Sequence, residues 1–159
     1  MTGRQALTSS RQAFEVVDAF EWAVARYTGA PYCVAVDSGC NALFLALTLM
    51  KREGIQHTAI TLPCQTYVGV AMSVIAAGFK IAWQHESWSG AYEFPEYPII
   101  DAALRFTSGM YNESGMVMGL SFISSKLLPI GRGGAILHDW PKLDQWVRRA
   151  RNNGRAEGA

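Results

Sequence analysis

Residues 31–52 have the sequence PYCVAVDSGCNALFLALTLMKR, and the architecture of the chain can be built outward from them. Tyr32–Val36 is an apolar run without polar alternation, which is typical of a strand covered on both faces. In Asn41–Arg52 the apolar residues recur at helical spacing. Small residues, 37–40, form the turn between the two. This stretch therefore predicts a strand that leads directly into a helix, the repeating unit of α/β proteins.

Helices and strands continue to alternate on both sides of this unit. A helix is predicted from Ser9 to Gly29, because apolar residues recur there every three or four positions. The fold class predicted is α/β, with a mostly parallel sheet and helices on both faces. Residues 84–96, rich in Ser, Gly and polar side chains, are predicted as a surface connection. The remaining predicted strands are Thr58–Leu62, Phe79–Trp83, Tyr97–Ile100, Val117–Phe122 and Ala135–Leu137, and the remaining helices are Thr66–Ala77 and Pro141–Arg151.

Size and charge favour one ordinary globular domain over residues 1–159. Half of the 159 residues are hydrophobic and the net charge is +1, so intrinsic disorder is excluded. A nearly neutral chain does not predict general affinity for nucleic acid. Four arginines lie near the C-terminus: Arg148, Arg149, Arg151 and Arg155. Such a cluster usually forms a solvated helix end, and contact with nucleic acid is the minor alternative.

The cysteines and the apolar runs indicate the compartment. Cys33, Cys40 and Cys64 have spacings that fit neither a zinc site nor a disulfide framework, so no metal site is predicted and a reducing environment is expected. No segment has the pattern of a signal peptide, and no apolar run approaches the roughly 20 residues that span a bilayer. We therefore expect a cytoplasmic protein with no membrane partner.

Residues that could carry chemistry follow the predicted strands. In open α/β sheets, ligands bind at the carboxyl ends of the strands. The small-residue turn after the first strand opens a helix, and such a turn can bind phosphate through its free N–H groups. An aromatic residue, a carboxylate and a lysine follow later strands. The residues at these strand ends are Ser38, Gly39, Cys40, Tyr67, Asp101, Ser121 and Lys126.

These groups match what pyridoxal phosphate needs from a protein. A lysine forms a Schiff base with its aldehyde, and a carboxylate keeps its pyridine nitrogen protonated. A flat side chain covers its ring, and hydrogen-bond donors hold its phosphate. Taken singly, each residue has an ordinary structural explanation: Lys126 as a surface lysine, Asp101 as a turn residue, and Tyr67 as a packing residue.

Five blocks of the sequence, in order, resemble the DegT/DnrJ/StrS family of pyridoxal-phosphate aminotransferases. The family belongs to fold type I, and its members commonly aminate keto-sugars. The chain is similar to a strongly shortened member, a minimal version of the fold-type I large domain. The blocks are FEVVDAFEWAVARYTGAPYCVAVDSGCNALFLAL (14–47), LPCQTYVGVAMSVIAAGFKIAW (62–83), IIDAALRF (99–106), SFISSKLLPIGRGGAIL (121–137) and RRARNNGR (148–155).

The resemblance implies a role for each strand-end residue. Lys126 would be the Schiff-base lysine, Asp101 would pair with the pyridine nitrogen, and Tyr67 would stack on the ring. Phosphate would be held by Ser38, Gly39, Cys40 and Ser121. The resemblance also implies a small-molecule amine as substrate and a homodimer with shared active sites. Residues 1–30 would form the N-terminal helix, and residues 31–155 the cofactor-binding core.

The chain departs from the family pattern on the substrate side. Cys40 stands where threonine is usual, Leu104 where glutamine or histidine is usual, and Arg132 where glutamate is usual. The segment between the third-strand block and the Asp-Ala-Ala block is much shorter than in the family. The family's C-terminal small domain, which closes over the substrate, has no counterpart in this sequence. Substrate handling is therefore expected to differ.

Three functional hypotheses follow. The first is transamination of a primary amine or amino acid through a Lys126 Schiff base, with Lys126 also acting as general acid and base. The second is a pyridoxal-phosphate decarboxylase or lyase acting on an amino-acid-derived or bulky amine, including a nucleotide-linked one. The third is an inactive remnant that binds the cofactor or a partner. Retention of the lysine, aspartate, serine and aromatic residue together favours an enzyme.

Overall fold

The computed structural model of the protein describes residues 10–54 and 57–156, and helices alternate with strands through these segments. Ser9, where the first helix was predicted to begin, lies outside the described residues. The helices are α1 (Ser10–Thr28), α2 (Gly39–Arg52), α3 (Val68–Ala76) and α4 (Pro141–Arg151). The strands are β1 (Tyr32–Val36), β2 (Ala59–Pro63), β3 (Lys80–Gln84), β4 (Tyr92–Phe94), β5 (Ile99–Asp101), β6 (Val117–Ser121) and β7 (Gly134–His138).

The α/β class is confirmed, but the prediction of a mostly parallel sheet is wrong. Five strands form one sheet in the order β1-β7-β6-β5-β4, and β2 and β3 form a separate parallel pair. Within the five-stranded sheet only β5 and β6 are parallel neighbours. Buried apolar runs do not reveal direction when both faces of a strand are covered. The turn at 95–98 is too short for a parallel crossover, which needs a dozen or more residues.

Three strands nevertheless run in the same direction. Strand β7 is antiparallel to both of its neighbours, β1 and β6, and β6 is parallel to β5. Consequently β1, β5 and β6 all end at the same edge of the sheet. Residues that follow these three strands therefore meet at one edge of the sheet, although the pairing differs from the prediction.

Helices cover both faces of the five-stranded sheet, as predicted. Val34 and Ile136 pack with α2 and α4 in one buried cluster. Cys33 and Leu137, their neighbours along the same strands, pack with Val24 of α1 in the other. Successive side chains of a strand point to opposite faces, so each strand feeds two apolar layers. This double burial explains why these strands lack polar alternation.

The C-terminal helix is tied to the first helix and to β1 by a buried charge network. Glu21 is 4% exposed and accepts a hydrogen bond of 2.7 Å from the backbone N–H of Ala35. Arg148 forms a salt bridge of 2.8 Å with Glu21, and Arg151 forms another with the same carboxylate. Arg151 also donates to the Ala35 carbonyl at 2.9 Å. These two arginines are therefore structural and do not form a solvated helix end.

No described helix combines the length and the apolar character that spanning a bilayer would require. Within the same residues, no group of three or more histidine, cysteine or acidic side chains is arranged to hold a metal ion.

Candidate active site

A cavity of about 600 Å³ opens where the loops after β1, β2, β5 and β6 meet. All seven residues singled out from the sequence line this cavity, although they come from four separate segments of the chain. The three strands of common direction bring six of them to one edge, and the loop after β2 brings the seventh. The seven are Ser38, Gly39, Cys40, Tyr67, Asp101, Ser121 and Lys126.

The turn before α2 forms one wall of the cavity. Ser38 caps the helix, and its hydroxyl accepts a hydrogen bond of 3.1 Å from the backbone N–H of Asn41. The N-terminus of a helix of this length carries a partial positive charge and unpaired N–H groups, which favour an anion. Burial raises the pKa of the Cys40 thiol, so the thiol is uncharged at neutral pH and does not repel an anion.

Close backbone contacts hold this turn against the sheet. A Cβ on Gly39 would lie 2.9 Å from the Cβ of Ser121, and a Cβ on Gly134 would lie 2.4 Å from the carbonyl carbon of Ser38. Any larger residue at either position would push the turn away from β6 and β7. Gly39 was among the residues predicted from the sequence; Gly134 was not, and its signal in the sequence is the pair of glycines at the start of β7, Gly133 and Gly134.

Asp101 is a buried carboxylate at the end of β5. Its side chain is 5% exposed, and burial raises its pKa, while the Ala103 N–H, the Tyr92 hydroxyl and the positive charge of Lys126 oppose that rise. The Ala103 N–H lies 3.0 Å from Oδ1. No lysine or arginine in the described part of the chain forms a salt bridge with it. A buried carboxylate without a salt bridge is stabilised by a cation, which a ligand can supply.

The loop at 122–133 contributes two cations. Its fold is held by backbone bonds, including one of 2.9 Å from the N–H of Lys126 to the Ile123 carbonyl. The side chains of Lys126 and Arg132 line the cavity, and neither has a salt-bridge partner within the described residues. Together with Asp101 they give the lining a net charge of about +1, which favours an anionic ligand.

An exposed aromatic ring stands at the mouth of the cavity. Tyr67 precedes α3 and its side chain is 68% exposed. A Cβ on Gly69 would lie 2.6 Å from the Tyr67 ring and 2.5 Å from Sγ of Cys40. Glycine at position 69 therefore lets the ring approach the turn before α2. A flat ring in this position is available to cover a planar ligand.

The prediction that residues 84–96 form a surface connection is wrong for part of that segment. Tyr92 and Phe94 are buried in β4, and Trp88 lines the cavity. The polar composition of the segment concealed a short alternation of apolar and polar residues at positions 92–94, which is the signal of a half-buried strand. The segment that is short relative to the family thus contributes to the site.

The sequence matches the family model described as the DegT/DnrJ/EryC1/StrS aminotransferase family over residues 4–83, which is half of the chain. Among curated proteins, nothing matches the sequence.

Solved structures of sugar-modifying and related aminotransferases share the fold. DesV from S. venezuelae, solved with a ketimine intermediate, is 21% identical, and the match has a TM-score of 0.68 and covers 97% of this chain and 51% of that one. A sugar aminotransferase from Micromonospora echinospora is 21% identical, with a TM-score of 0.65 and coverage of 85% and 49%. Helicobacter pylori PseC, an aminotransferase of pseudoaminic acid biosynthesis, is 13% identical, with a TM-score of 0.71 and coverage of 94% and 54%.

These likenesses confirm the predicted α/β fold, which the chain shares with these structures. The chain spans about half the length of each of these structures.

Proposed function

The chain belongs to the DegT/DnrJ/EryC1/StrS aminotransferase family, and from that premise we propose that it is a pyridoxal-phosphate enzyme that transfers an amino group. One observation supports the proposal above all: a helix-capping turn, an exposed ring, a buried carboxylate and a lysine line the same cavity. Each has an ordinary structural explanation alone, but the four together match the needs of this cofactor.

The residues present fit pyridoxal phosphate. Ser38, Gly39, Cys40 and Ser121 would hold the phosphate, since the turn offers a hydroxyl, free N–H groups and the positive end of α2. Asp101 would hold the protonated pyridine nitrogen, which would give this buried carboxylate the cation it lacks. Tyr67 would lie over the ring. When bound, the cofactor links covalently to amines and withdraws electrons from the carbon that bears the amine.

Lys126 is the proposed catalytic base. Its Nζ would take the proton from the α-carbon of the substrate and return a proton at the end of the transfer, as a general acid and base does. It is partly buried beside Asp101 and makes no salt bridge within the described residues, so its amine is available for chemistry. Asp101 would keep the ring nitrogen protonated and so stabilise the negative charge that develops.

The amino acceptor we propose is a keto-sugar, and the amine donor is an amino acid. A sugar aminotransferase and PseC have the same fold, which supports a sugar as one partner. Arg132 at the cavity wall supports a carboxylate on the other. Leu104, also in the lining, is 47% exposed and offers an apolar contact beside Asp101.

A pyridoxal-phosphate decarboxylase or lyase is the second candidate. The size of the cavity favours it, because a volume of about 600 Å³ admits a bulky amine. The bond held perpendicular to the cofactor ring decides between the reactions. Product analysis separates them: a keto product with stoichiometric amine transfer supports transamination, whereas carbon dioxide without a keto product supports decarboxylation.

We also propose a homodimer. Beside Tyr67, α3 carries three exposed apolar side chains, Val68, Met72 and Ile75, which are between 52% and 67% exposed. Covering such side chains is favourable at about 25 cal/mol per Å². Met72→Glu should dissociate the dimer in sedimentation experiments, with Glu86→Gln as a control at an exposed polar position. A wild-type protein that sediments only as a monomer would refute the dimer.

The enzyme itself is tested by absorbance and turnover. Cofactor-incubated protein should absorb in the visible range, and an amino acid with a keto-sugar acceptor should yield a keto acid. Lys126→Ala should lose the absorbance and lower kcat by about a hundredfold or more, while Lys142→Ala should retain both, since Lys142 is exposed and pairs with Glu53. A wild-type protein that neither absorbs nor turns over would instead support the inactive remnant.

A further inference from the structure

Tyr92 is a buried phenol behind the wall of the cavity. It is 5% exposed, and it is the direct cross-strand partner of Asp101, because β4 and β5 pair antiparallel in that register. Side chains of such partners lie on the same face of the sheet, with Cβ atoms about 4.5 to 5.5 Å apart. Its hydroxyl lies 2.6 Å from Oγ1 of Thr66, in the loop that carries Tyr67.

The hydroxyl has one hydrogen, and its partners decide where that hydrogen points. The Asp101 carboxylate lies on the same face of the strand pair and can only accept, so the hydrogen of the Tyr92 hydroxyl is directed toward it. The bond with Thr66 must then run the other way, with Thr66 donating to the Tyr92 oxygen. The result is a directed chain from Thr66 through Tyr92 to Asp101. Two of its three members, Thr66 and Asp101, line the cavity.

Packing fixes the phenol in this orientation. The Trp88 ring lies 4.8 Å from the Tyr92 ring, and Nε1 of Trp88 donates to the Gln65 carbonyl at 2.9 Å. The Phe94 ring, two residues along β4, lies 5.9 Å away. The bond between Trp88 and Gln65 therefore ties the segment 84–96 to the loop after β2. The packed Tyr92 ring has little freedom to turn away from Asp101.

We propose that Tyr92 is a positioning residue: it fixes the Asp101 carboxylate as an acceptor aimed into the cavity and couples it, through Thr66, to the loop that carries Tyr67. The inference rests on the proposed function, because Asp101 and Tyr67 are the residues assigned to the two sides of the cofactor ring. The Tyr92 hydroxyl also opposes the rise in the pKa of Asp101 that burial causes. Sequence comparison alone would not find this role, since Tyr92 lies in the segment that is short relative to the family.

The direct test uses the cofactor-free protein. Carbon-13 NMR titration of the Asp101 carboxyl should show its pKa higher by about one unit in Tyr92→Phe, because the hydroxyl that stabilises the carboxylate is lost while the ring remains. Tyr111→Phe is the matched control: Tyr111 is also buried, and its hydroxyl donates to the Met116 carbonyl at 2.8 Å, in the other core cluster. An Asp101 pKa that moves no further in Tyr92→Phe than in Tyr111→Phe overturns the proposal.

A second variant covers the case in which Tyr92→Phe does not fold. Thr66→Val keeps the Tyr92 hydroxyl beside Asp101 but removes the donor to the Tyr92 oxygen, which weakens the chain without breaking it. A smaller shift of the Asp101 pKa in the same direction supports the chain. No shift in folded Thr66→Val, or a shift downward, contradicts the coupling through Thr66.

Cofactor titration separates this inference from the proposed function. Pyridoxal phosphate should bind Tyr92→Phe about tenfold more weakly than wild type, and the loss should be least at high pH, where Asp101 is ionised in both proteins. If wild-type protein does not bind the cofactor, the proposed function fails while the NMR result still stands. If the affinities of the two proteins are equal at every pH, Tyr92 does not position Asp101 for the cofactor.

Discussion

Two carboxylates in this molecule are almost equally buried but differ in their charged partners. Glu21, 4% exposed, lies between two arginines and also accepts a backbone N–H. Asp101, 5% exposed, has the Ala103 N–H and the Tyr92 hydroxyl, but no salt bridge within the described residues. The first is neutralised by the chain itself, whereas the second faces a cavity.

Glu21 therefore holds the fold together, whereas the proposed function gives Asp101 a role toward a ligand. A buried carboxylate without a cation costs stability, so a fold selected for stability alone gains by pairing it, as at Glu21. The cost at Asp101 is consistent with a site whose cation arrives with the cofactor. The predictions below test each side of this contrast.

Glu21→Ala should have the largest effect, a loss of about 3 to 5 kcal/mol in the free energy of unfolding, because it leaves two arginines without their buried partner. Chemical denaturation measures it. The control is Glu53→Ala, which removes a surface salt bridge with Lys142 and should cost under about 1 kcal/mol. If the two variants lose equal stability, the buried network at Glu21 stabilises the fold no more than a surface salt bridge does.

Asp101→Asn should behave in the opposite way. Turnover should fall by about a hundred- to a thousandfold, a typical cost of removing one preorganised electrostatic contact. The cofactor-free protein should be as stable as wild type or more stable, because the pKa of Asp101 is raised in the folded state and its ionised form is therefore unfavourable at neutral pH. Destabilisation with unchanged turnover would make Asp101 a structural residue like Glu21.

Acid should weaken the fold at His138, which is completely buried on β7 and has a pKa lowered to about 4 by burial. The unfolded chain takes up this proton near pH 6.5 and the folded chain only near pH 4. Stability should therefore fall by up to about 3 kcal/mol as the pH drops through this window. His138→Gln should flatten the dependence, and His85→Gln, at an exposed position, should not. An unchanged slope in folded His138→Gln would assign the acid sensitivity to other groups.

Arg132→Gln should have the smallest effect. The KM for an amine that carries a carboxylate should rise about tenfold, as expected when a charge-assisted hydrogen bond is lost. The KM for the corresponding amine without the carboxylate should stay unchanged. Equal changes for the two amines would mean that Arg132 does not recognise the substrate carboxylate.

The sequence predicted the parts of the site that depend on local pattern. The β1–α2 unit, with Ser38 as its cap, follows from an apolar run, a small-residue turn and helical periodicity. Asp101 and Lys126 followed from the rule of strand ends, which held because β1, β5 and β6 share a direction.

What the sequence could not predict depends on contacts between distant segments. The direction of the strands could not be predicted, because residues such as Val34 and Ile136 are buried whichever way their strands run. Tyr92 was missed because only the register of β4 against β5 brings it to Asp101. The partners of Glu21 lie more than a hundred residues away, and no local pattern indicates such a pairing.

We propose that the cavity holds pyridoxal phosphate through Lys126, and this can be checked by locating the bound cofactor. Borohydride reduction of cofactor-treated protein, followed by peptide mass spectrometry, reveals which lysine carries the phosphopyridoxyl group. The other lysines of the chain, Lys51, Lys80 and Lys142, serve as internal controls. We expect modification of Lys126, with the other three lysines unmodified at stoichiometric cofactor. Modification spread over all four lysines, or absent from Lys126, would contradict it.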